Sequence, residues 1–199
     1  MSEPVRTAIF GGTFNPIHNG HLAIASAVLK AGLADELWLM VTPQNPWKRD
    51  LRLTPDSYRL ELACKATEDM AGITASDFEF SLPKPSYTAN TLRALTEAFP
   101  ERQFRLVIGA DNWAKFDMWY DNGYIIDNFP IIVYPRTGYP LPEADRGDVS
   151  ILECPLLDIS STEIRSKLAA GESVGSMVPE SIAPLLGRYT RAEIRQKDN

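Results

Sequence analysis

Apolar residues along the chain gather into short runs that alternate with segments of helical spacing. TAIF at 7–10 is a short apolar strand that stops at Gly11 and Gly12. From about 20 to 31, Leu22, Ala25, Val28 and Leu29 share one face of a helix, and Gly32 ends it. ELWLMVT at 36–42 is almost continuously apolar, as strands covered on both faces are. A Pro-rich loop follows over 43–53, after which Thr54 and Pro55 read as N-cap and first residue of a helix through Leu60, Ala63 and Ala66. The pattern then predicts a weaker strand over 73–79, a loop over 82–87 and a helix over 88–99. FRLVI at 104–108 reads as a central strand ending at Gly109, Ala110 and Asp111, with a short aromatic helix over 112–120 behind it. IIVY at 131–134 and residues 149–153 are two further strands. Ser160 and Glu163 have capping-box spacing at the start of a late helix that Gly171 closes, and a small helical tail runs to about Arg195.

Strands separated by helices predict an α/β fold with a doubly wound, mostly parallel sheet. No repeat, low-complexity stretch or break in composition divides the chain. Residues 1–199 therefore read as one domain, with a small C-terminal helical part at about 160–195.

Composition narrows the class. A chain of 199 residues that is 44% hydrophobic and 23% charged can bury a substantial core. No run approaches the roughly 20 apolar residues of a membrane helix, and the first seven residues lack the apolar stretch of a secretory signal. Cys64 and Cys154 stand far apart in apolar surroundings, which predicts buried, reduced thiols and a cytoplasmic setting. The net charge of −6, with no long basic run, argues against nucleic acid as a partner. It leaves room for an anionic small substrate, and Lys48, Arg49 and Arg52 form a short basic cluster read as either a solvated loop or a local pocket. The composition is compatible with a homo-oligomer and does not select one.

Ligands of an open parallel sheet bind beyond the carboxyl ends of its strands. Four such ends stand out. GGTFNPIHNGH at 11–21 holds both histidines of the chain, His18 and His21, between a glycine-ended strand and a helix start. Glycine lets backbone approach a ligand closely, and a helix start offers free N–H groups and partial positive charge. Two imidazoles there can donate to phosphate oxygens as charge builds in a phosphoryl or nucleotidyl transfer. The alternatives are a turn with incidental histidines and a zinc pair, though no nearby Cys or acidic pair supplies zinc with a third ligand. The segment lacks the Gly-Lys-Ser/Thr ending of a Walker A loop and the G-x-G-x-x-G of hydride-transferring dinucleotide enzymes.

ISSTEIR at 159–165 places three hydroxyls and Arg165 at a helix start, which suits helix capping and triphosphate binding about equally. Around GADN at 109–112, Asp111 can bond a ribose hydroxyl or cap the next helix. Trp113, Phe116 and Trp119 can pack a core or stack on a planar ring. Ser86, Tyr87 and Thr88 open a helix whose N–H groups can cap or capture an anion.

Together these segments resemble a family. GGTFNPIHNGH is similar to the H-x-G-H signature region of the nucleotidyltransferase superfamily, and ISSTEIR to its C-terminal phosphate-binding motif. With Pro46-Trp47-Lys48, SYT, IGADN, Trp119 and Tyr134-Pro135-Arg136, the set resembles bacterial nicotinate-nucleotide adenylyltransferases from about residue 9 to 165. The resemblance implies a Rossmann-like nucleotidyltransferase fold and a reaction of ATP, with Mg²⁺, and nicotinate mononucleotide to give deamido-NAD and pyrophosphate. It implies catalytic roles for His18, His21 and Arg165. ATP would lie against Gly11, Gly12, Thr13, Phe14, Gly109, Asp111, Ile159, Ser160, Ser161 and Thr162. The mononucleotide would meet Asn15, Lys48, Tyr87, Thr88, Trp119 and Arg136, the backbone N–H groups near Tyr87 and Thr88 receiving its carboxylate. No resident metal site is implied.

Two rival readings differ in testable ways. A phosphopantetheine adenylyltransferase resembles this chain at the first and last motifs, but is usually shorter and carries Thr where His18 stands. A nucleotide-binding module without chemistry would have lost a catalytic position, whereas both histidines and Arg165 are present.

Overall fold

The computed structural model describes residues 3–43, 53–141, 147–154 and 159–187. Among these residues six strands form one sheet: β1 (Val5–Gly12), β2 (Glu36–Val41), β3 (Ile73–Ser76), β4 (Arg102–Gly109), β5 (Ile131–Tyr134) and β6 (Val149–Ile151). Their order is β3-β2-β1-β4-β5-β6, and every pairing is parallel. The helices are α1 (Asn19–Lys30), α2 (Asp56–Thr67), α3 (Thr88–Ala98), α4 (Ala110–Trp113), α5 (Asn122–Asn128) and α6 (Ser161–Ala169). The order reverses between β1 and β4, so the chain leaves these two strands in opposite directions and opens a crevice at their carboxyl ends.

The central strands β1, β2, β4 and β5 are buried on both faces over most of their length, which explains their nearly unbroken apolar runs. In β1, Ala8 and Phe10 point into one core with Leu37, Leu39, Leu62 and Ile164. Ile9 points the other way, into a second core with Met40, Leu92, Leu95, Phe116 and Ile125. The alternation follows from the two-residue period of a strand. Helix α1 buries Leu22, Ala25 and Val28 against the first core, with Leu29 half-buried beside them.

Several boundaries differ from the pattern. Helix α2 starts at Asp56 with Pro55 as its N-cap, because the Thr54 hydroxyl instead donates to Asn15 Oδ1 at 2.8 Å. Strand β3 ends at Ser76, opposite Met40, near the end of its partner strand; Phe78–Ser81 then turn as a 3₁₀ helix. The expected aromatic helix is two short pieces, α4 and a 3₁₀ turn at Phe116–Met118, and α5 is an additional helix. Asp121, left-handed at φ 52°, separates them. Cys64 is exposed, contrary to expectation: it lies on the outer side of α2 while its neighbours Leu62 and Ala63 face the core. Cys154 is half-buried, and both thiols are free. The predicted tail to Arg195 falls outside the described residues beyond 187. Among the described residues, no helix is long and apolar enough to cross a membrane.

Candidate active site

The turn from β1 into α1 builds the first wall of the crevice. His18 is the N-cap of α1, with extended backbone, and His21 is its third residue. One helical turn brings their rings together, stacked at 3.6 Å between centroids and 24° between planes. The His18 backbone N–H donates to His21 Nδ1 at 3.3 Å. That bond fixes the tautomer of a neutral His21, leaving Nε2 as the nitrogen that carries hydrogen.

Phe14 supports His21 from the other side. Its ring edge meets the His21 ring at 4.9 Å and 88° and the Phe10 ring at 5.9 Å and 90°. Phe14 adopts φ 42°, rare for a bulky residue, and is only 2% exposed. Glycine at two positions makes this arrangement fit. A methyl on Gly12 would stand 3.0 Å from the Phe14 ring, and one on Gly20 would stand 3.0 Å from His18 Nδ1.

His18 is 5% exposed, and burial, with a smaller contribution from the positive charge of Arg136, lowers its pKa to about 4. It is therefore neutral at neutral pH and able to donate one hydrogen bond without carrying charge.

The start of α6 forms the facing wall. Ser160 caps it, its Oγ accepting from the Glu163 N–H at 3.1 Å. Ser161 Oγ donates to the Pro16 carbonyl at 2.9 Å, and Arg165 donates through Nη1 to the Asn15 carbonyl at 2.8 Å and through Nη2 to Thr162 Oγ1 at 3.1 Å. The two phosphate-type motifs, far apart in sequence, are thus bonded directly to one another. Asn15 departs from its expected place: it is 1% exposed, does not line the crevice, and its side chain bonds Thr54 behind the wall.

Beneath these loops lies Arg59, fully buried and missed by the sequence reading. Its guanidinium donates to the carbonyls of Thr13, Thr42, Pro43 and Thr54 and pairs with Asp56 at 2.6 Å. One side chain therefore ties the loops after β1 and β2 to the start of α2. The signal was present, since Arg59 occupies the same helical stripe as Leu62, Ala63 and Ala66.

At the end of β4, Gly109 leaves space that the Asp111 carboxylate and the Tyr134 ring fill; a side chain there would collide with both. Arg136 lies 3.7 Å from Asp111 and over the Tyr134 ring at 5.5 Å. Burial raises the Tyr134 pKa, so this phenol stays protonated. Farther along, Trp119 packs on Phe116 at 5.6 Å, and Tyr87 meets Tyr120 at 4.9 Å. Trp113 stacks on buried Phe116 and belongs to the core.

A cleft of about 940 Å³ joins these walls. Gly11, Gly12, Thr13, Phe14, His18 and His21 line it from the β1 side, and Ile159, Ser160, Ser161, Thr162 and Arg165 from the α6 side. Ser86, Tyr87, Thr88, Asp111, Trp119, Tyr134 and Arg136 also line it, together with Lys115, Tyr120 and Tyr139, which the sequence reading did not single out. A side pocket of about 360 Å³ extends past His18, Asp111 and Arg136 to Ile24 and Cys154. Lys48 lies outside the described residues.

Fold and cleft together define a nucleotidyltransferase. The cytidylyltransferase-like family model matches residues 9–167. The chain is 44% identical over 196 residues to the probable nicotinate-nucleotide adenylyltransferase of Bacteroides thetaiotaomicron, covering 98% of this chain and 95% of that one. It is 38% identical over 181 residues to the probable enzyme of the same name in Christiangramia forsetii, covering 89% and 93%. Its fold is similar to that of the Plasmodium falciparum nicotinic acid mononucleotide adenylyltransferase complexed with NaAD, with a TM-score of 0.81 at 18% identity over 95% of this chain and 98% of that one. The chain belongs to the nicotinate-nucleotide adenylyltransferase family.

Proposed function

We propose that this chain transfers the adenylyl group of Mg²⁺-bound ATP to nicotinate mononucleotide, giving deamido-NAD and pyrophosphate in a cytoplasmic step of NAD biosynthesis, and that residues 1–199 act as one domain. The observation that carries this reading is the convergence of two phosphate-type helix starts, α1 and α6, on one cleft that Tyr87, Thr88 and Trp119 also line.

In this reading the triphosphate lies between His18 and His21 on one side and Ser160, Ser161, Thr162 and Arg165 on the other. A phosphate oxygen of the mononucleotide attacks the α-phosphorus in line, the bond to the β-phosphate breaks, and pyrophosphate leaves without a covalent enzyme intermediate. The imidazoles and Arg165 donate to oxygens on which negative charge accumulates, so positioning and electrostatics supply most of the acceleration. The first-turn N–H groups of α3, which no side chain caps, receive the nicotinate carboxylate, and Trp119 stacks on the ring. Arg136 and Lys48 are assigned to the mononucleotide phosphate.

Among the described residues, no group of three or more His, Cys, Asp or Glu could cage a metal ion, and Asp111 is the one carboxylate lining the cleft. That donor set suits magnesium that arrives on the triphosphate, held mainly by phosphate oxygens and water.

The test supplies purified protein with Mg²⁺-bound ATP and one acceptor at a time: nicotinate mononucleotide, nicotinamide mononucleotide or phosphopantetheine. Pyrophosphate and dinucleotide should form with the first and far less with the second. Turnover of phosphopantetheine alone, or ATP binding without turnover of any acceptor, would overturn the reading.

A further inference from the structure

Glu79 is a buried carboxyl with no part in the chemistry above. It lies on the 3₁₀ turn after β3 and is 5% exposed. Thr91 Oγ1 donates to its Oε1 at 2.8 Å. The hydroxyls of Thr42 and Ser86 also interact with this carboxyl and, with Thr91, oppose the upward pull of burial on its pKa. Among the described residues, Thr91 alone completes a hydrogen bond to it; the Thr42 and Ser86 contacts fall short of full hydrogen-bond geometry, and Ser86 Oγ and Glu79 Oε2 are both buried without a completed bond.

A carboxyl is costly to bury unless it is hydrogen-bonded. The three hydroxyls it meets come from three places: the residue after β2, the loop before α3, and the second turn of α3. Ser86 lines the cleft beside Tyr87 and Thr88, whereas Glu79 and Thr91 lie behind it. Tyr87, the N-cap of α3, makes no side-chain cap. Placement of the first-turn N–H groups therefore depends on what grips the helix from behind.

We propose that Glu79 is a positioning residue for the acceptor. By holding Thr42, Ser86 and Thr91 together, it sets the start of α3 against the cleft floor and aligns its N–H groups on the acceptor's carboxylate. The inference rests on the proposed reaction, in which that carboxylate belongs to nicotinate mononucleotide.

Steady-state kinetics on Glu79→Ala, Glu79→Gln and Thr91→Val test it, with wild type as the control for the reaction itself. Glu79→Ala should raise the KM for nicotinate mononucleotide roughly tenfold, the scale of one or two lost hydrogen bonds, and leave the KM for ATP within about twofold. Its preference for nicotinate over nicotinamide mononucleotide should fall by a similar factor. Thr91→Val, nearly isosteric, should reproduce part of the loss if Glu79→Ala does not fold. Glu79→Gln keeps an acceptor for Thr91 and should recover most of the wild-type KM. If wild type turns over nicotinate mononucleotide but folded variants show an unchanged acid-to-amide preference, or an equal rise in both KM values, the inference fails while the reaction stands. A wild type that ignores nicotinate mononucleotide overturns the reaction itself, and this inference with it.

Discussion

His18 makes the stability of the protein depend on pH in a way that one substitution should remove. In the folded chain its pKa is lowered to about 4, chiefly by burial, against about 6.5 for an ordinary histidine in the unfolded chain. Between those values the unfolded chain binds a proton that the folded chain refuses, so stability falls as pH falls. The contribution is fully present above pH 6.5 and fully lost below about pH 4. The gap corresponds to about 3 kcal/mol, of which about 2 kcal/mol is already lost at pH 5. Urea unfolding at pH 7 and pH 5 should show wild type losing about 2 kcal/mol more than His18→Asn, a side chain that cannot take up a proton. That corresponds to about 1 M in the unfolding midpoint for a slope near 2 kcal/mol per molar urea. Arg136→Gln, which removes the smaller cause, should lessen the wild-type dependence without abolishing it. Parallel losses in wild type and His18→Asn would refute the claim that a neutral imidazole is sealed at the start of α1. If the triphosphate lies against this ring, its negative charge should draw a proton back. ATP binding near pH 6 should then take up protons, measurable as a buffer-dependent heat.

Three further outcomes follow from the same geometry. His21→Ala should leave the fold intact, by circular dichroism and thermal melting, and lower kcat by about 10²-fold or more, as loss of a preorganised donor does; an unchanged kcat would remove His21 from the transition state. Gly20→Ala places a methyl 3.0 Å from His18 Nδ1, so kcat should fall while the melting temperature changes little, and a fully active Gly20→Ala enzyme would show that His18 needs no fixed position. Arg59→Met strips donors from four loop carbonyls and leaves Asp56 without its buried partner, and should cost about 3 kcal/mol or more in urea unfolding. Arg59→Lys should not restore it, because an ammonium cannot span the same fork of acceptors.

Much of the fold was legible because its central strands are short and apolar, because β1 and β4 end in glycine, and because the first helix carries a stop at Gly32 and the last a start at Ser160. The Ser160–Glu163 capping spacing and the stop at Gly171 appear in the structure where the pattern put them. What the pattern missed was decided by partners distant in sequence. Thr54 had the composition of an N-cap, but Asn15, on another loop, takes its hydroxyl. Residues 73–79 read as one weaker strand, yet β2 pairs with them only as far as Ser76. Cys64 was judged by its apolar neighbours in sequence, although one residue along a helix turns the side chain by about 100°.

The least legible residues, Arg59 and Glu79, share a cause. Each is a charged side chain inside an otherwise apolar context, and pattern reading treats such a residue as an interruption of the core. Here the interruption is structural. Backbone groups that leave a strand at its carboxyl end cannot all pair with one another, since the chain must turn there and keep N–H groups free for a ligand. The carbonyls left over need donors from behind, and Arg59 supplies them to the loops after β1 and β2. The start of α3 needs an acceptor for hydroxyls on its inner side, and Glu79 accepts from Thr91. A cleft that offers donors to polyanions on its open side thus requires polar support on its buried side. A buried charge one layer beneath a glycine-ended strand is accordingly a signal of the site, and the helical spacing of Arg59 with Leu62, Ala63 and Ala66 already carries it in the sequence.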